Sequence, residues 1–440
     1  MKLNVLLKPW RGDKRFTAIA KYAAALKKSG SKDLQIVAQV EAEFGKPTEL
    51  ARINEQPQPY KAYGQIGVDI EAAALEQLLL ALRLPIAAQG ALMPDAHPGF
   101  ALPIGGVFAA HNAVSPMMVG VDIGCRMHLT IFAEAPMEIQ RQREQLFRDL
   151  ADVTVFGSGA SRKRGPDHPI LGIKHWNITA QTRSLREKAI AQLGTSGSGN
   201  HFANIVVGER IGENDLPRQF IGLLTHSGSR GVGYAIAKHY SNIAVQETAR
   251  QANVPKMYEW LDLDSEAGQE YWAAMELAGA FAQANHEVIH RLFAQRTKLQ
   301  PIATIQNHHN FAWREGDLIV HRKGATPAGV GVRGVIPGSM ASASYVVEGL
   351  GNPEALNSAS HGAGRLFSRS KARATISPSE AKKVIKAHGV HVEGWSVDES
   401  PLAYKDIERV MELQIEADLI KPLARMKPIA VIMAGEAGEN

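Results

Sequence analysis

The spacing of apolar positions changes several times along the chain, and each change predicts an element. Lys14 to Gly30, KRFTAIAKYAAALKKSG, reads as a basic helix closed by glycine. PTELARINEQPQPYKAYG, from Pro47, is polar and rich in Pro and Gln, and reads as a linker. Asp69 to Pro85 predicts a helix with an acidic first turn and a proline stop. From Met93 to Val121 short apolar runs alternate with Gly and Pro, as in strands joined by tight loops. PMEIQRQREQLFRDLADV predicts a charged helix. Residues 265–298 predict one long amphipathic helix with Tyr271, Met275, Ala278, Phe281 and Ala282 on one side. YKDIERVMELQIEADLIKPLARM predicts a last helix leading into an apolar strand, IAVIMAG. Strands and helices do not alternate as in a doubly wound sheet, and there is no internal repeat or heptad array. The expected class is α+β, a complex mixed sheet with flanking helices.

Composition narrows this picture. At 440 residues, 45% hydrophobic and 21% charged, the chain has the make-up of a soluble globular protein of one large or a few smaller domains. It has no apolar run long enough for a membrane span, and its first residues lack a signal-peptide pattern. With a single cysteine besides, a reducing cytoplasm is the expected setting. The net charge of +5 is localised: residues 1–60 hold 11 Lys and Arg against 6 Asp and Glu, so the remainder is balanced. Such a segment is either a solvated helix face or an appendage drawn to a phosphate backbone.

The one thiol, Cys125, sits in VGVDIGCRMHL, where it cannot form an intramolecular disulfide. It is either a small buried hydrophobe or a ligand. Asp122 lies three residues before it, a spacing at which one loop can present both side chains to one ion. Other polar clusters are MPDAHPG, GTSGSGNHF, THSGSRGVG, QNHHNF, IPGSMASASY and SASHGAGR. Their histidines are flanked by Gly, Ser or Asn, which lets backbone N–H groups approach an anion closely. A Cys/His set suits zinc, while a carboxylate–imidazole mixture also suits manganese. Glycine-rich loops beside metal ligands point to phosphoryl or nucleotidyl chemistry. His286-Glu287-Val288-Ile289-His290 fits the zinc-protease pattern, but the downstream sequence lacks the extended continuation of one zincin class. Glu315 is a weak third ligand for another.

In order, MPDAHPG, GVDIGC, GNHF, HSGSRG, HHN, PGSM followed by SY, and HGAGR resemble the RNA-splicing ligase RtcB family over roughly residues 65 to 435. The resemblance implies an RtcB-like catalytic domain over 61–440, behind a basic N-terminal extension and linker over 1–60. It implies an RNA ligase using two Mn²⁺ ions and GTP. His361 would attack the nucleotide and hold GMP as a phosphoramidate. The GMP would pass to an RNA 3′-phosphate, and a 5′-hydroxyl would displace it. A 2′,3′-cyclic phosphate end would be opened first. Asp122, Cys125, His201, His226 and His309 would be the metal ligands, the thiolate bridging both ions. Asn200, Arg230 and Asn310 would hold phosphate oxygens of nucleotide or RNA. Pro337, Gly338, Ser339, Met340, Ser344, Gly362, Ala363 and Gly364 would line the nucleotide together with His361. Asp95 and His97 match a family motif to which no role is carried over.

Two positions depart from the family pattern. The family reads N-H-F-x-E where this chain reads Asn200-His201-Phe202-Ala203-Asn204, so a guanine-contacting glutamate is absent. The family's near-terminal lysine, five residues after a proline, is replaced here by Met433 after Pro428. The rival readings are a relative using another nucleotide or repairing one damaged RNA, and a nucleotide- or RNA-binding protein without turnover.

Overall fold

The computed structural model describes residues 1–435 except 11, 12, 14, 48, 49, 137–141 and 164. Its centre is an eight-stranded sheet. Along it lie Pro301–His308, Arg126–Phe132, Gln219–Ser227, Gly199–Arg210, Ile420–Ala434, Ser344–Gly349 and Arg333–Ile336, each antiparallel to the next. His391–Glu393 adds in parallel to Ile420–Ala434. A second sheet of five strands runs Phe311–Glu315, Leu318–Lys323, Ile104–His111, Ala87–His97 and Tyr60–Ala62. Mixed sheets with helices packed around them confirm the α+β class.

The period of two along the central strands assigns their faces. Met127, Leu129, Phe202, Val206, Phe220 and Leu224 build the core on one side. Ala203, Ile205, Ile221, Leu223 and Phe132 build it on the other. His226 belongs with Phe220 and Leu224, whereas Thr225 and Ser227 face the opposite way. The long helix, Glu266–Thr297, runs as expected from an N-cap at Ser265 to Lys298, which turns left-handed at φ 64°. It packs on the Thr225 side, where the Thr225 hydroxyl is hydrogen-bonded to both His286 and His290.

Near the end of the chain the expected helix and the expected strand IAVIMAG are both present, but the boundary between them lies earlier than the sequence reading put it. Only Ile407–Glu416 is helical in the expected last helix, and Ile420–Ala434 is a fifteen-residue strand. Pro422 cannot donate the hydrogen bond a continuing helix needs. Asp418, at φ 52°, turns the chain, and both edges of the new strand are then satisfied by neighbours. In the segment expected as a linker, Ala51–Arg52 pairs with Ala252–Asn253 and Tyr60–Ala62 joins the second sheet. The expected N-terminal helix spans Phe16–Lys28, with Lys14 outside the described residues, and a second, Asp33–Phe44, follows it. The charged helix spans Arg143–Val153, and residues 137–141 of its predicted start are not described.

Candidate metal and nucleotide site

The ligand candidates converge because adjacent strands deliver them in register. Cys125 precedes Arg126–Phe132, His201 opens Gly199–Arg210, and His226 nearly closes Gln219–Ser227, where it pairs with both Phe202 and Met127. His309 follows Pro301–His308, and its N–H donates to the Cys125 carbonyl at 2.9 Å. The Asp122–Cys125 turn is closed by a backbone bond of 3.3 Å and packs on the long helix at Gly124. A Cβ there would lie 2.8 Å from the Gly279 Cα, and φ is +66°, so only glycine fits.

Two overlapping groups result. Cys125, His226 and His309 form one, and Asp122, Cys125 and His201 the other, with the donor atoms of each within 4.8 Å of one another. The sulfur is common to both. Sγ lies 3.1 Å from His226 Nε2 and 3.5 Å from His201 Nε2. His201 Nε2 is 3.1 Å from Asp122 Oδ2, and His226 Nε2 is 3.3 Å from His309 Nε2. His201 Nδ1 donates to the Ser196 carbonyl at 2.6 Å and His226 Nδ1 to the Asn200 carbonyl at 3.2 Å. A carbonyl can only accept, so both rings carry their proton on Nδ1 and aim the Nε2 lone pair inward.

Electrostatics keep the His226 and His309 imidazoles neutral and the carboxylate charged, but keep the thiol protonated. Burial, then His201 and His361, press His226 down to about 3, and burial and His361 hold His309 well below the usual imidazole range. Burial is the largest influence on Asp122 and would raise it, but the surrounding groups, His201, Cys125 and Arg230, together outweigh it and hold the carboxyl below its usual range. Burial pushes the Cys125 thiol well up, and Asp122 adds to this. The mixed carboxylate, thiol and imidazole donors would suit divalent cations, and a cation engaging Cys125 would displace its one thiol proton.

His361 follows the short strand Ser358–Ser360, with its ring centroid 4.7 Å from that of His309. Asp95 Oδ2 lies 2.7 Å from its Nδ1, and the His361 backbone N–H reaches the same oxygen at 3.3 Å. Gly364, at φ +73°, lets this loop touch the Asp95 strand, since a Cβ there would stand 2.1 Å from the Asp95 carbonyl oxygen. His361 and most of the ligand set open into a cavity of about 330 Å³. Its wall includes Asn200, Asn310, Pro337, Gly338, Ser339, Met340, Ser344, Gly362, Ala363 and Gly364, all expected at a nucleotide. Asn204 and Met433 line it too.

Other positions differ from expectation. Arg230 does not line the cavity: at φ 57° it heads the helix Arg230–Thr248, and its guanidinium lies against Thr195 Oγ1 and the Gly157 carbonyl. His201 does not line the cavity, although it belongs to the ligand group with Asp122 and Cys125. The HEVIH histidines sit on the far face of the sheet. His286 is hydrogen-bonded to Thr225 Oγ1 at 2.5 Å and the Ser227 carbonyl at 3.0 Å, and His290 to Thr225 and Thr130. Glu287 turns away to His168 at 2.9 Å. These are buried, satisfied structural groups. Sequence reasoning missed Arg369, Glu399 and Tyr404, which line the cavity. Glu399 accepts from the Tyr404 hydroxyl and pairs with Arg365 and Arg369. Neither Glu399 nor Tyr404 has a glycine neighbour or a repeated spacing, so the segment WSVDESPLAY carried no signal.

The comparisons with known proteins follow the same lines. The family profile described as "tRNA-splicing ligase RtcB" matches residues 77–168 and 171–434. The RNA-splicing ligase RtcB of Escherichia coli K12 is 31% identical over 399 residues, covering 83% of this chain and 95% of that protein. The tRNA-splicing ligase RtcB of Thermococcus kodakarensis is 29% identical over 439 residues, covering 81% and 90%. The RNA-splicing ligase RtcB of Mycobacterium tuberculosis is 30% identical over 414 residues, covering 77% and 95%. With the profile spanning most of the chain and the family's motifs gathered at one cavity, this protein belongs to the RtcB family.

Proposed function

We propose that the protein is a cytoplasmic RNA ligase that joins 3′-phosphate or 2′,3′-cyclic phosphate ends to 5′-hydroxyl ends through a nucleotidyl-His361 intermediate. The observation that carries this reading is the opening of His361, braced by Asp95, into the same cavity as the two sulfur-sharing ligand groups. Asp95 fixes the proton on Nδ1, which leaves the Nε2 lone pair to form an N–P bond to the nucleotide α-phosphorus as pyrophosphate departs. Asp122, Cys125, His201, His226 and His309 would hold two divalent cations, manganese in the family pattern. Such ions would neutralise phosphate oxygens and lower the charge barrier to attack. Asn200 and Asn310 would orient those oxygens. The Pro337–Met340 turn and Gly362–Gly364, which leave backbone close to the cavity, would seat the nucleotide. Arg230, off the cavity wall, would act on RNA phosphate only by leaving its present hydrogen bonds.

A second reading, use of a nucleotide other than GTP, has its own support. Asn204 is buried at the cavity wall, and its Oδ1 has no hydrogen-bond partner. Its strand partner is Val431, and Met433 pairs with Phe202, so this wall presents a neutral amide among apolar groups. Guanine offers two adjacent donors, N1–H and N2–H₂, which a carboxylate would bind about twice as strongly as a neutral amide. Preference for GTP would therefore be weaker than in typical relatives, or shifted to another base.

The test is incubation with Mn²⁺ and each of four labelled nucleoside triphosphates. Acid-labile, alkali-stable label on the protein indicates a phosphoramidate, and its base dependence names the nucleotide. No label with any of them overturns the proposal.

A further inference from the structure

We infer that the N-terminal helical unit is a docking surface for the RNA sugar–phosphate backbone, binding without base selectivity. The inference rests on the ligase reading above. Residues 1–46 precede the region matched by the family profile, which begins at residue 77. The helices Leu3–Leu6, Phe16–Lys28 and Asp33–Phe44 close on a core of their own, made by Leu7, Trp10, Ile19, Ala23, Ile36 and Val40. That core shares no residue with the cores beneath the sheets, so the unit folds around itself and leaves its outer faces to other uses.

Those faces carry the charge. Ile19 and Ala23 mark the buried stripe of Phe16–Lys28. Lys21 and Lys28, seven residues apart, share an angular position on the opposite side, about 10 Å apart along the axis. The residues flanking them on that side, Thr17, Ala18 and Ala25, are exposed and small, so an extended polyanion meets no bulky side chain there. Lys2, Lys8, Lys32 and Lys46 are exposed as well. The carboxylates of Asp13 and Asp33 are taken by Arg15, the N-terminal amine and Lys27. The six lysines therefore keep their charge uncompensated by ion pairs among the described residues.

The same unit argues against other anionic partners. A helix that lies in a bilayer interface must expose an apolar face rich in aromatic groups. Here Trp10 is buried, and Phe16, Tyr22 and Phe44 pack partly buried against the core. Met1, Val5 and Leu34 are exposed, but none of them is aromatic. With its aromatic rings turned inward the unit also lacks a stacking platform for bases. Charge without stacking selects the backbone, which every RNA presents.

The test uses the full chain and a variant carrying Lys2→Gln, Lys8→Gln, Lys21→Gln, Lys28→Gln, Lys32→Gln and Lys46→Gln. Circular dichroism checks that the helices persist. Binding of a fluorescein-labelled single-stranded oligoribonucleotide is followed by anisotropy over a KCl series, beside labelling by nucleoside triphosphate. The expected result is unchanged labelling, binding weakened at least tenfold at low salt, and a log–log salt slope shallower by about 4, from roughly 0.7 for each of the six lost phosphate contacts. The six-arginine counterpart should restore binding. An unchanged affinity and slope in the glutamine variant overturns the inference while leaving the ligase reading intact. Loss of binding to phosphatidylserine vesicles with RNA binding unaltered also overturns it, in favour of a membrane. A change confined to one RNA sequence refutes backbone recognition. If the unaltered protein neither takes label nor ligates, the ligase reading falls, whatever the salt slope shows.

Discussion

Asp95 Oδ2 stands 2.7 Å from Nδ1 of His361, with Asp95 fully buried and His361 at the cavity wall. An imidazole with its Nδ1 proton held in this way has one lone pair left, and it belongs to the nitrogen that would attack phosphorus in the proposed reaction. Asp95→Asn keeps the shape but can present an N–H instead of an acceptor to Nδ1, which favours the wrong tautomer. Nucleotidylation measured in a single turnover should fall roughly 10²–10⁴-fold, as for the orienting carboxylate of other catalytic imidazoles. His361→Ala should abolish label while metal content stays near that of the unaltered protein. Full-rate labelling in Asp95→Asn would show that the pair is merely structural.

Cys125 belongs to both ligand groups, so Cys125→Ser should lower occupancy at both sites and stop turnover, a hydroxyl being a far poorer anionic ligand than a thiolate. His286→Ala and His290→Ala should retain metal and ligation. Each leaves Thr225 short of a partner, at a cost of about 1–3 kcal/mol in stability. Elemental analysis and urea unfolding of the three variants separate the two behaviours. The reverse ranking would make HEVIH the metal site.

Acid should destabilise the metal-free protein before its carboxylates titrate. Burial, then Arg126, holds His128 at about 4, and burial holds His321 at about 4 against the pull of the Phe108 carbonyl. Unfolded, both take up a proton near pH 6.5. Between these values the unfolded state binds more protons, so stability conferred at neutral pH is lost as pH falls. His321 Nε2 accepts from the Ser115 N–H at 2.9 Å, a bond that protonation destroys. The urea midpoint should therefore drop between about pH 7 and pH 5. A midpoint that stays level over this range would contradict the neutral assignment of these rings.

Asn204 and Met433 approach the cavity from neighbouring strands. The double variant Asn204→Glu, Met433→Lys restores the carboxylate and the cation of the family pattern, and should raise the labelling rate with GTP relative to ATP, CTP and UTP. A charge-assisted hydrogen bond adds about 1 kcal/mol over a neutral one, which is roughly fivefold in preference. Strict GTP dependence of the unaltered protein would mean that other groups, Ser344 among them, read the base.

The residue types of the site were legible in the sequence because the chemistry leaves a local trace. Cys125, His201, His226, His309 and His361 each sit beside Gly, Ser or Asn, since backbone must come close to ligand or to another strand. The long helix was equally legible, because a stripe of apolar residues repeated over several turns has one good solution. Tertiary structure decided the rest. Whether His226 or His286 holds metal depends on which face of one sheet each occupies, and HEVIH has the better local pattern of the two. Arg230 carries the same motif context as His226, yet the turn at φ 57° swings its side chain onto Gly157 and Thr195. Glu399 and Tyr404 reach the cavity from a segment without any local signature. Asp95 gained a role only when its strand met the His361 loop, 266 residues further along the chain. The first part of the last strand, from Ile420 to Met426, was read as helix because its apolar spacing suits both, and hydrogen bonds offered by two waiting strands outweighed local preference. Sequence fixes which chemical groups are available and how the backbone bends near them. Which groups meet is set by long-range pairing, whose free energy comes from partners distant along the chain.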